Sequence, residues 1–292
     1  MDPHERIQAA SGFLLQAPPG EINDVLNDVR NIISDDDLLQ EGVLPALREY
    51  NLAQFMTVDV PGTDHQSIVS EAARVPDASD EKERFLDPRS RTSFVFDHLS
   101  LEASEPREED PDPETEPIRA ALEASTLTYM TSHFHQGVAS VFAARDATEE
   151  YIIQVVANKY NPTNFWSGRW RSEYHVNFRD STITGKILAN VHYYEQGNVQ
   201  LATTFDVEIK LPAAIQASNP PAAASKILAL LEDEEGKYQT SLNETYHEMG
   251  EKTFKGLRRA LPLTRQKIDW DKVLGYKLGA ELSSSKGVFG SS

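Results

Sequence analysis

The sequence predicts an α+β chain in which helices come first, an antiparallel sheet fills the middle and one long helix follows. Three observations predict it. Residues 4–51 hold three amphipathic helical stripes, residues 137–211 hold strands in close order, and a helical stripe then runs from Asn219 to Pro262. Strands spaced too closely for intervening helices pair antiparallel, which excludes a doubly wound nucleotide fold.

The elements follow in order. Ile7, Ala10, Phe13 and Leu14 give a helix over residues 4–16, ended by Pro18-Pro19-Gly20. Ile22, Val25, Leu26, Val29, Ile32 and Ile33 form one stripe over residues 21–33, and Asp35, Asp36 and Asp37 supply an N-cap for a helix reaching about Asn51. The three stripes look too wide for a three-helix cluster alone, so we expect them to pack on another chain. Met56 to Val60, Gln66 to Val69 and Thr92 to Phe96 read as short strands, with a polar loop from Val75 to Arg84. Residues 102–117 carry eight acids and four prolines. Such a stretch buries too little apolar surface to offset its ordering entropy, and it reads as a flexible loop, with an acidic binding motif as the alternative.

Residues 118–135 form a helix through Ile118, Ala121, Leu122, Leu127 and Tyr129 to Phe134. Strands are expected at 137–144, 151–159, 170–178, 184–194 and 198–211, the last two joined as a hairpin by Glu195-Gln196-Gly197-Asn198. Asn219-Pro220-Pro221 caps the long helix, whose stripe is Ile227, Leu230, Leu231, Tyr238, Leu242, Tyr246, Met249, Leu257 and Leu261. Some 40 residues at ~1.5 Å each outrun the width of five strands at ~4.8 Å. A sheet continued by a second subunit would cover the excess stripe, which again points to an obligate dimer.

Composition narrows the function. The chain has 292 residues, with 46 Asp+Glu against 28 Lys+Arg and a net charge of -18. So acidic a surface argues against nucleic-acid binding, which rests on phosphate neutralisation by Lys and Arg. With no cysteine there is no disulfide, thiolate metal site or cysteine nucleophile. Without a long apolar run or signal peptide, the expectation is a soluble protein of a reducing compartment, where the Asn243-Glu244-Thr245 sequon is idle. Charge is unevenly placed. Residues 252–277 carry Lys252, Lys255, Arg258, Arg259, Arg265, Lys267, Lys272 and Lys277 against Asp269 and Asp271. This basic segment reads as a contact arm for an acidic partner, or else as a solvated helix face or an arm folded back on its own acidic body. Beyond Pro262, Leu263, Trp270, Leu274 and Leu278 recur at roughly helical spacing.

Motifs for phosphate cradling, dinucleotide binding or a nucleophile elbow do not occur. His133 and His135 could bind a metal from a strand, but at a helix end they read as ordinary polar histidines. Phe165 to Tyr174 is the densest aromatic run, read as a strand start packing its tryptophans, with a ligand-stacking platform as the alternative. Catalysis has no positive support.

The run Asn164-Phe165-Trp166-Ser167-Gly168-Arg169-Trp170-Arg171-Ser172-Glu173 resembles the alpha-subunit signature of F-actin capping protein (CapZ). So does the run from Arg258 through Leu261 and Pro262 to Trp270. Ala17 to Glu21 with Asn27 to Arg30, Phe85 to Arg89 with Phe96 to His98, and Tyr193 to Leu201 match as well. The matches are collinear from about residue 11 to residue 282. The resemblance implies a heterodimer with a beta subunit of the same fold, one antiparallel sheet continued across both subunits, and no catalysis or cofactor. It implies a three-helix stalk over 1–52, a small globule over 53–117, a helix plus central sheet over 118–218, a long helix over 219–261 and a C-terminal amphipathic tentacle and tail over 262–292. The tentacle would bind the barbed end of an actin filament, independently of calcium, and block subunit exchange. The implied actin contacts are Lys255, Arg258, Arg259, Leu261, Arg265, Lys267, Trp270 and Leu274. Lys255 and Arg259 match the family's Phe-Lys-x-Leu-Arg-Arg motif, Arg265 its Leu-Pro-x-Thr-Arg and Trp270 its Lys-Ile-Asp-Trp. Implied regulators are phosphoinositides, CARMIL-type peptides and myotrophin-like proteins, and the implied location is the cytoplasm, in cortical actin. Departures are the 102–117 loop, Tyr174 where many relatives carry tryptophan, and the Ser-rich tail after Leu282. The alternative is an acidic scaffold whose basic arm docks on another acidic protein or on anionic lipid.

Overall fold

The computed structural model describes residues 3–33, 36–76, 82–145, 149–195 and 198–250. The chain divides into two compact units, Met1–Tyr238 and Gln239–Ser292.

Helices α1 (Pro3–Leu15), α2 (Ile22–Ile33) and α3 (Asp36–Ala53) open the first unit. Their stripes close mainly on one another. Ala10, Leu14, Ile22, Leu26, Val29, Ile33, Val43, Leu47 and Tyr50 make one buried cluster, so the breadth of the stripes does not by itself require a second chain. Phe13, Leu15 and Leu44 remain exposed. Helices α1 and α3 meet at Gly42, where a Cβ would stand 2.6 Å from Ile7 Cδ1.

Six short strands follow: β1 (Met56–Asp59), β2 (Gln66–Val69), β3 (Arg74–Val75), β4 (Arg84–Asp87), β5 (Thr92–Asp97) and β6 (Glu102–Glu108). β1 and β2 form a hairpin, and β3-β4-β5-β6 an antiparallel sheet. Phe85, Phe94 and Phe96 fill its core with Val58, Val60 and Val69, and Phe142 of the next sheet joins them. Residues 77–81, the middle of the expected polar loop, lie outside the described residues.

The flexible loop expected over 102–117 is corrected here. Its first seven residues are strand β6, paired with β5 from Asp97↔Glu102 to Thr92↔Glu108. Low apolar content rules out a core, but an edge strand needs only backbone partners on one side. The buried Arg84 supplies a second anchor, since its Nη2 donates to Ser93 O at 2.9 Å and to Glu105 O at 2.6 Å. Glu105 has φ 51°, and the register shifts between Ser93 and Val95, so the strand bulges where Pro106 interrupts it. The remaining residues connect to α4 (Glu116–His133).

The central sheet is β7 (Val138–Ala143), β8 (Glu150–Asn161), β9 (Trp166–Asn177), β10 (Thr182–Tyr193) and β11 (Val199–Lys210). It is an antiparallel meander in the order β11-β10-β9-β8-β7, as close strand spacing predicts. The turn at Gln196 and Gly197 lies outside the described residues, but the pair Tyr193↔Val199 shows the hairpin it closes. One face carries Val141, Ile153, Tyr174, Ile183, Ile187 and Val207 beneath α4 and α5 (Pro220–Glu248). The opposite face meets the small sheet and the C-terminal end of α3. Gly185 is required by close approach, because a Cβ there would stand 2.6 Å from Tyr174 Cδ1 on the neighbouring strand.

A polar chain fastens that second face. Ser70 Oγ donates to Gln154 Oε1 at 2.8 Å, Gln154 bonds Glu173, and His175 sits between Glu173 Oε1 at 3.2 Å and Glu150 Oε1 at 2.9 Å. Hydrogen bonds to Glu173 and Glu150 outweigh burial and raise His175 to about 9. The stabilisation is therefore complete below the ordinary histidine value of 6.5 and is lost as pH rises through about 9.

Two predictions follow from these contacts. Melting temperature falls as pH is raised from 6.5 through about 9, and His175→Gln flattens that fall. An unchanged slope in the variant would remove His175 as its source. Deleting residues 104–115 takes away most of β6 and the carbonyl that Arg84 holds. It lowers stability by about 2 kcal/mol or more, measured by denaturant unfolding, and an unchanged midpoint would contradict the role given to β6.

Candidate functional site

All the residues expected to contact actin, Lys255, Arg258, Arg259, Leu261, Arg265, Lys267, Trp270 and Leu274, lie outside the described residues, as does the expected helix break at Pro262. The structure describes the body to which that segment is joined, and two clusters within it hold the layers together.

The first cluster lies where α3 ends against β9. Arg169 and Arg171, two odd-numbered residues of β9, face the end of α3. Arg169 Nη2 donates to Tyr50 Oη at 2.8 Å, its Nη1 bonds the Gln54 side chain, and its guanidinium lies 5.5 Å from the Tyr50 ring centroid. Arg171 Nε bonds the Gln54 carbonyl, while its Nη1 donates to Trp170 O at 2.7 Å and Ala157 O at 3.3 Å. Gln54 follows the last residue of α3, so Arg171 captures the partial negative charge at a helix C-terminus. Burial, then the neighbouring Arg169 guanidinium, pull Arg171 down to about 9, which still leaves it charged at neutral pH. No carboxylate takes part in these bonds. Tyr50 passes the link on by donating to Ala17 O at 3.4 Å. Nearby, His192 Nδ1 meets Glu21 Oε1 at 2.7 Å, tying β10 to the start of α2.

The second cluster lies on the opposite face, where even-numbered residues of β9 meet α4 and α5. Glu235 of α5 is 2% exposed. Its carboxyl accepts hydrogen bonds from the Tyr129 and Tyr174 hydroxyls, with Ser172 Oγ at 3.5 Å. Tyr238, one turn on, stacks on Phe205 at 4.6 Å and donates to Thr203 Oγ1 at 3.2 Å. Trp170 packs 5.9 Å from Tyr238 and 5.8 Å from Phe134.

These placements settle several sequence readings. The aromatic run is a strand start: Phe165 takes φ 57° after the short 3-10 turn Pro162–Asn164, and Trp166 begins β9. His133 is the last residue of α4, with Nδ1 3.1 Å from Tyr129 O and Nε2 3.1 Å from Glu232 Oε1, and His135 lies in the following turn. No group of three metal-ligating residues occurs among the described residues. Glu235 stands in the acidic run Glu232-Asp233-Glu234-Glu235, and the signal that could have found it is its place on the apolar stripe, four residues after Leu231 and three before Tyr238. Arg169 and Arg171 were visible as a motif, but their partner on α3 was not.

The free edges of the central sheet differ. β7 has six residues, whereas β11 has 12 and carries no strand on its outer side among the described residues. Val199 on β11 is 64% exposed.

The model of the family F-actin capping protein alpha subunit matches residues 10–281. The F-actin-capping protein subunit alpha of Emericella nidulans is 38% identical over 282 residues, covering 96% of this chain and 98% of that one. The Caenorhabditis elegans protein of the same name is 35% identical over 287 residues, covering 95% and 97%. That of Dictyostelium discoideum is 33% identical over 287 residues, covering 96% and 98%. Among solved structures, the homodimeric actin capping protein alpha subunit from Plasmodium berghei superposes with a TM-score of 0.65 at 20% identity, covering 86% of this chain and 94% of that one. At that identity the likeness is one of fold. A match this long, spanning the β9 arginines, the central sheet, α5 and the basic segment beyond it, means that the chain belongs to the F-actin capping protein alpha-subunit family.

Proposed function

We propose that this chain is the alpha subunit of a heterodimeric capping protein that binds the barbed ends of actin filaments, without calcium, and blocks subunit exchange there. The observation that carries the reading is that the family match extends through residue 281 and so includes the basic segment 252–277. In this reading the chain works by binding alone, with no catalytic step and no cofactor, in the cytoplasmic actin cortex. No helix among the described residues is long and apolar enough to cross a membrane.

The division of labour follows from residue chemistry. Lys255, Arg258, Arg259, Arg265 and Lys267 would meet acidic groups on actin and steer encounter. Leu261, Trp270 and Leu274 would seat in an apolar cleft, the helix-in-groove mode of recognition. An aromatic anchor ringed by charge is a common hot-spot composition. The beta subunit would pair along β11, whose outer backbone donors and acceptors can extend the sheet by antiparallel addition. Phosphoinositides, CARMIL-type peptides and myotrophin-like proteins are the regulators to test.

The decisive assay is dilution-induced depolymerisation of actin filaments in the presence of the purified dimer. Slower barbed-end loss at nanomolar protein supports capping, whereas binding to anionic vesicles without that effect would favour an adaptor whose arm docks on lipid. Lys255→Ala with Arg259→Ala and Arg265→Ala should weaken capping at least ~100-fold, with dimer assembly and melting temperature near wild type. Normal capping by the triple variant, or failure through lost assembly alone, would refute the assignment of these residues. Expressed without its partner, the chain should aggregate. A monodisperse monomer with a cooperative melt would count against an obligate dimer.

A further inference from the structure

We propose that Glu235, with Tyr129, Ser172 and Tyr174, forms a proton-sensitive latch that seats α5 on α4 and the central sheet. The geometry comes first. One carboxyl group is reached by three hydroxyls from two elements: Tyr129 of α4 bonds Oε2, Tyr174 of β9 bonds Oε1, and Ser172 of β9 stands 3.5 Å from Oε1. None of these partners is a cation. The same face of α5 is otherwise apolar, with Ala224, Ile227, Leu228 and Leu231 all buried. An acid set in such a seam bears a desolvation cost whenever it is ionised.

The groups that face it have definite roles. From α4 come Tyr129 and His133, whose ring stacks on Tyr129 at 4.3 Å and whose Nε2 pairs with Glu232. β9 contributes Tyr174, and α5 itself contributes Glu232, one turn before. Burial and the Glu235 carboxyl raise both phenols far above their ordinary value, so they stay protonated donors. Burial raises Glu235 above the usual carboxylate range, against the opposing pull of its hydroxyl donors and of His133.

The sign follows directly. An acid whose folded value is raised binds a proton more tightly in the folded chain than in the unfolded one. The latch is therefore tightest with Glu235 protonated, and it loosens as pH rises from the ordinary value of 4.5 through the raised folded value. This device is separate from His175, which lies on the other face of the sheet. It also goes beyond the actin reading, because its readout is the seating of α5 and not capping.

The test is amide hydrogen exchange on the full-length chain, purified in its dimer, between about pH 5 and about pH 8 and corrected for intrinsic exchange. In the wild type, protection of peptides within residues 220–238 should fall as pH rises, by about tenfold for each ~1.4 kcal/mol of lost seating. Glu235→Gln is neutral throughout and should hold high protection at every pH, while His175→Gln should keep the wild-type dependence. A pH-independent wild type, or a Glu235→Gln chain that follows the wild-type curve, would overturn the proposal. Should Glu235→Gln fail to fold, infrared difference spectra of the wild type with labelled glutamate decide the matter. A protonated carboxyl band persisting above the ordinary carboxylate range supports the latch, and its absence removes it.

Discussion

The alternation of strand β9 is the constraint on which the rest of the body depends. Its odd positions send Arg169 and Arg171 to the C-terminus of α3, and its even positions send Ser172 and Tyr174 to Glu235 of α5. As the middle strand of five, it has both faces covered. A slip of one residue would exchange the two sets and aim guanidiniums at a carboxyl-bearing helix and phenols at a helix carbonyl. Register here is therefore fixed by unlike polar partners on opposite faces, on top of the hydrophobic pattern. Twelve paired residues on each side of β9 make that register hard to change locally.

The two sheets treat their edges in different ways. β6 is charged along its length, holds Pro106, bulges near Ser93 and leaves little flat backbone for a stray strand to join. β11 has no proline and no register shift, and it alternates Thr203, Phe205, Val207 and Ile209 with Thr204, Asp206, Glu208 and Lys210. An edge of 12 residues with no strand on its outer side among the described residues is where the proposed partner subunit would add its own.

What the sequence made legible was periodicity. Close-set alternating strands gave the antiparallel meander, and helical stripes gave α1 to α4 within a few residues and the start of α5, whose expected end near Leu261 lies outside the described residues. Its failures share one cause, which is that composition reports burial and says nothing of backbone pairing or of a distant partner. β6 was read as loop because Glu102 to Glu108 offers no core, yet a ladder to β5 and the Arg84 guanidinium need only carbonyls and amides. β4 carries a weak strand signal, because Pro88 cuts Phe85-Leu86-Asp87 short. The breadth of the stripes of α1 to α3 suggests a further chain, yet Leu14, Leu47 and Tyr50 close on one another and leave Phe13, Leu15 and Leu44 exposed. Among four successive acids only Glu235 falls on the helical stripe, four residues after Leu231 and three before Tyr238, but spacing alone does not name the Tyr129 and Tyr174 hydroxyls that meet it.

The recognisable signature and the proposed activity therefore sit in different places. Asn164 to Glu173 is the most distinctive run in the chain, and in the structure its side chains have internal work. Arg169 and Arg171 clamp α3, Trp170 packs under Tyr238, and Glu173 holds His175. Arg169 and Arg171 are buried in these contacts, whereas Phe165 at the head of the run is exposed. Such a motif diagnoses a fold, and function has to be argued from a site. Tyr174 illustrates the distinction, since the phenol at a position where the family resemblance led us to expect tryptophan is the group that donates to Glu235. Substitution there changes how α5 is held without altering any residue of the basic segment. The chemistry suited to an acidic partner lies in residues 252–277, where eight basic residues follow a body carrying a large excess of acids. In the proposed reading a body of that sign would repel an acidic partner at long range and the basic segment would attract it, so charge segregation would orient the encounter.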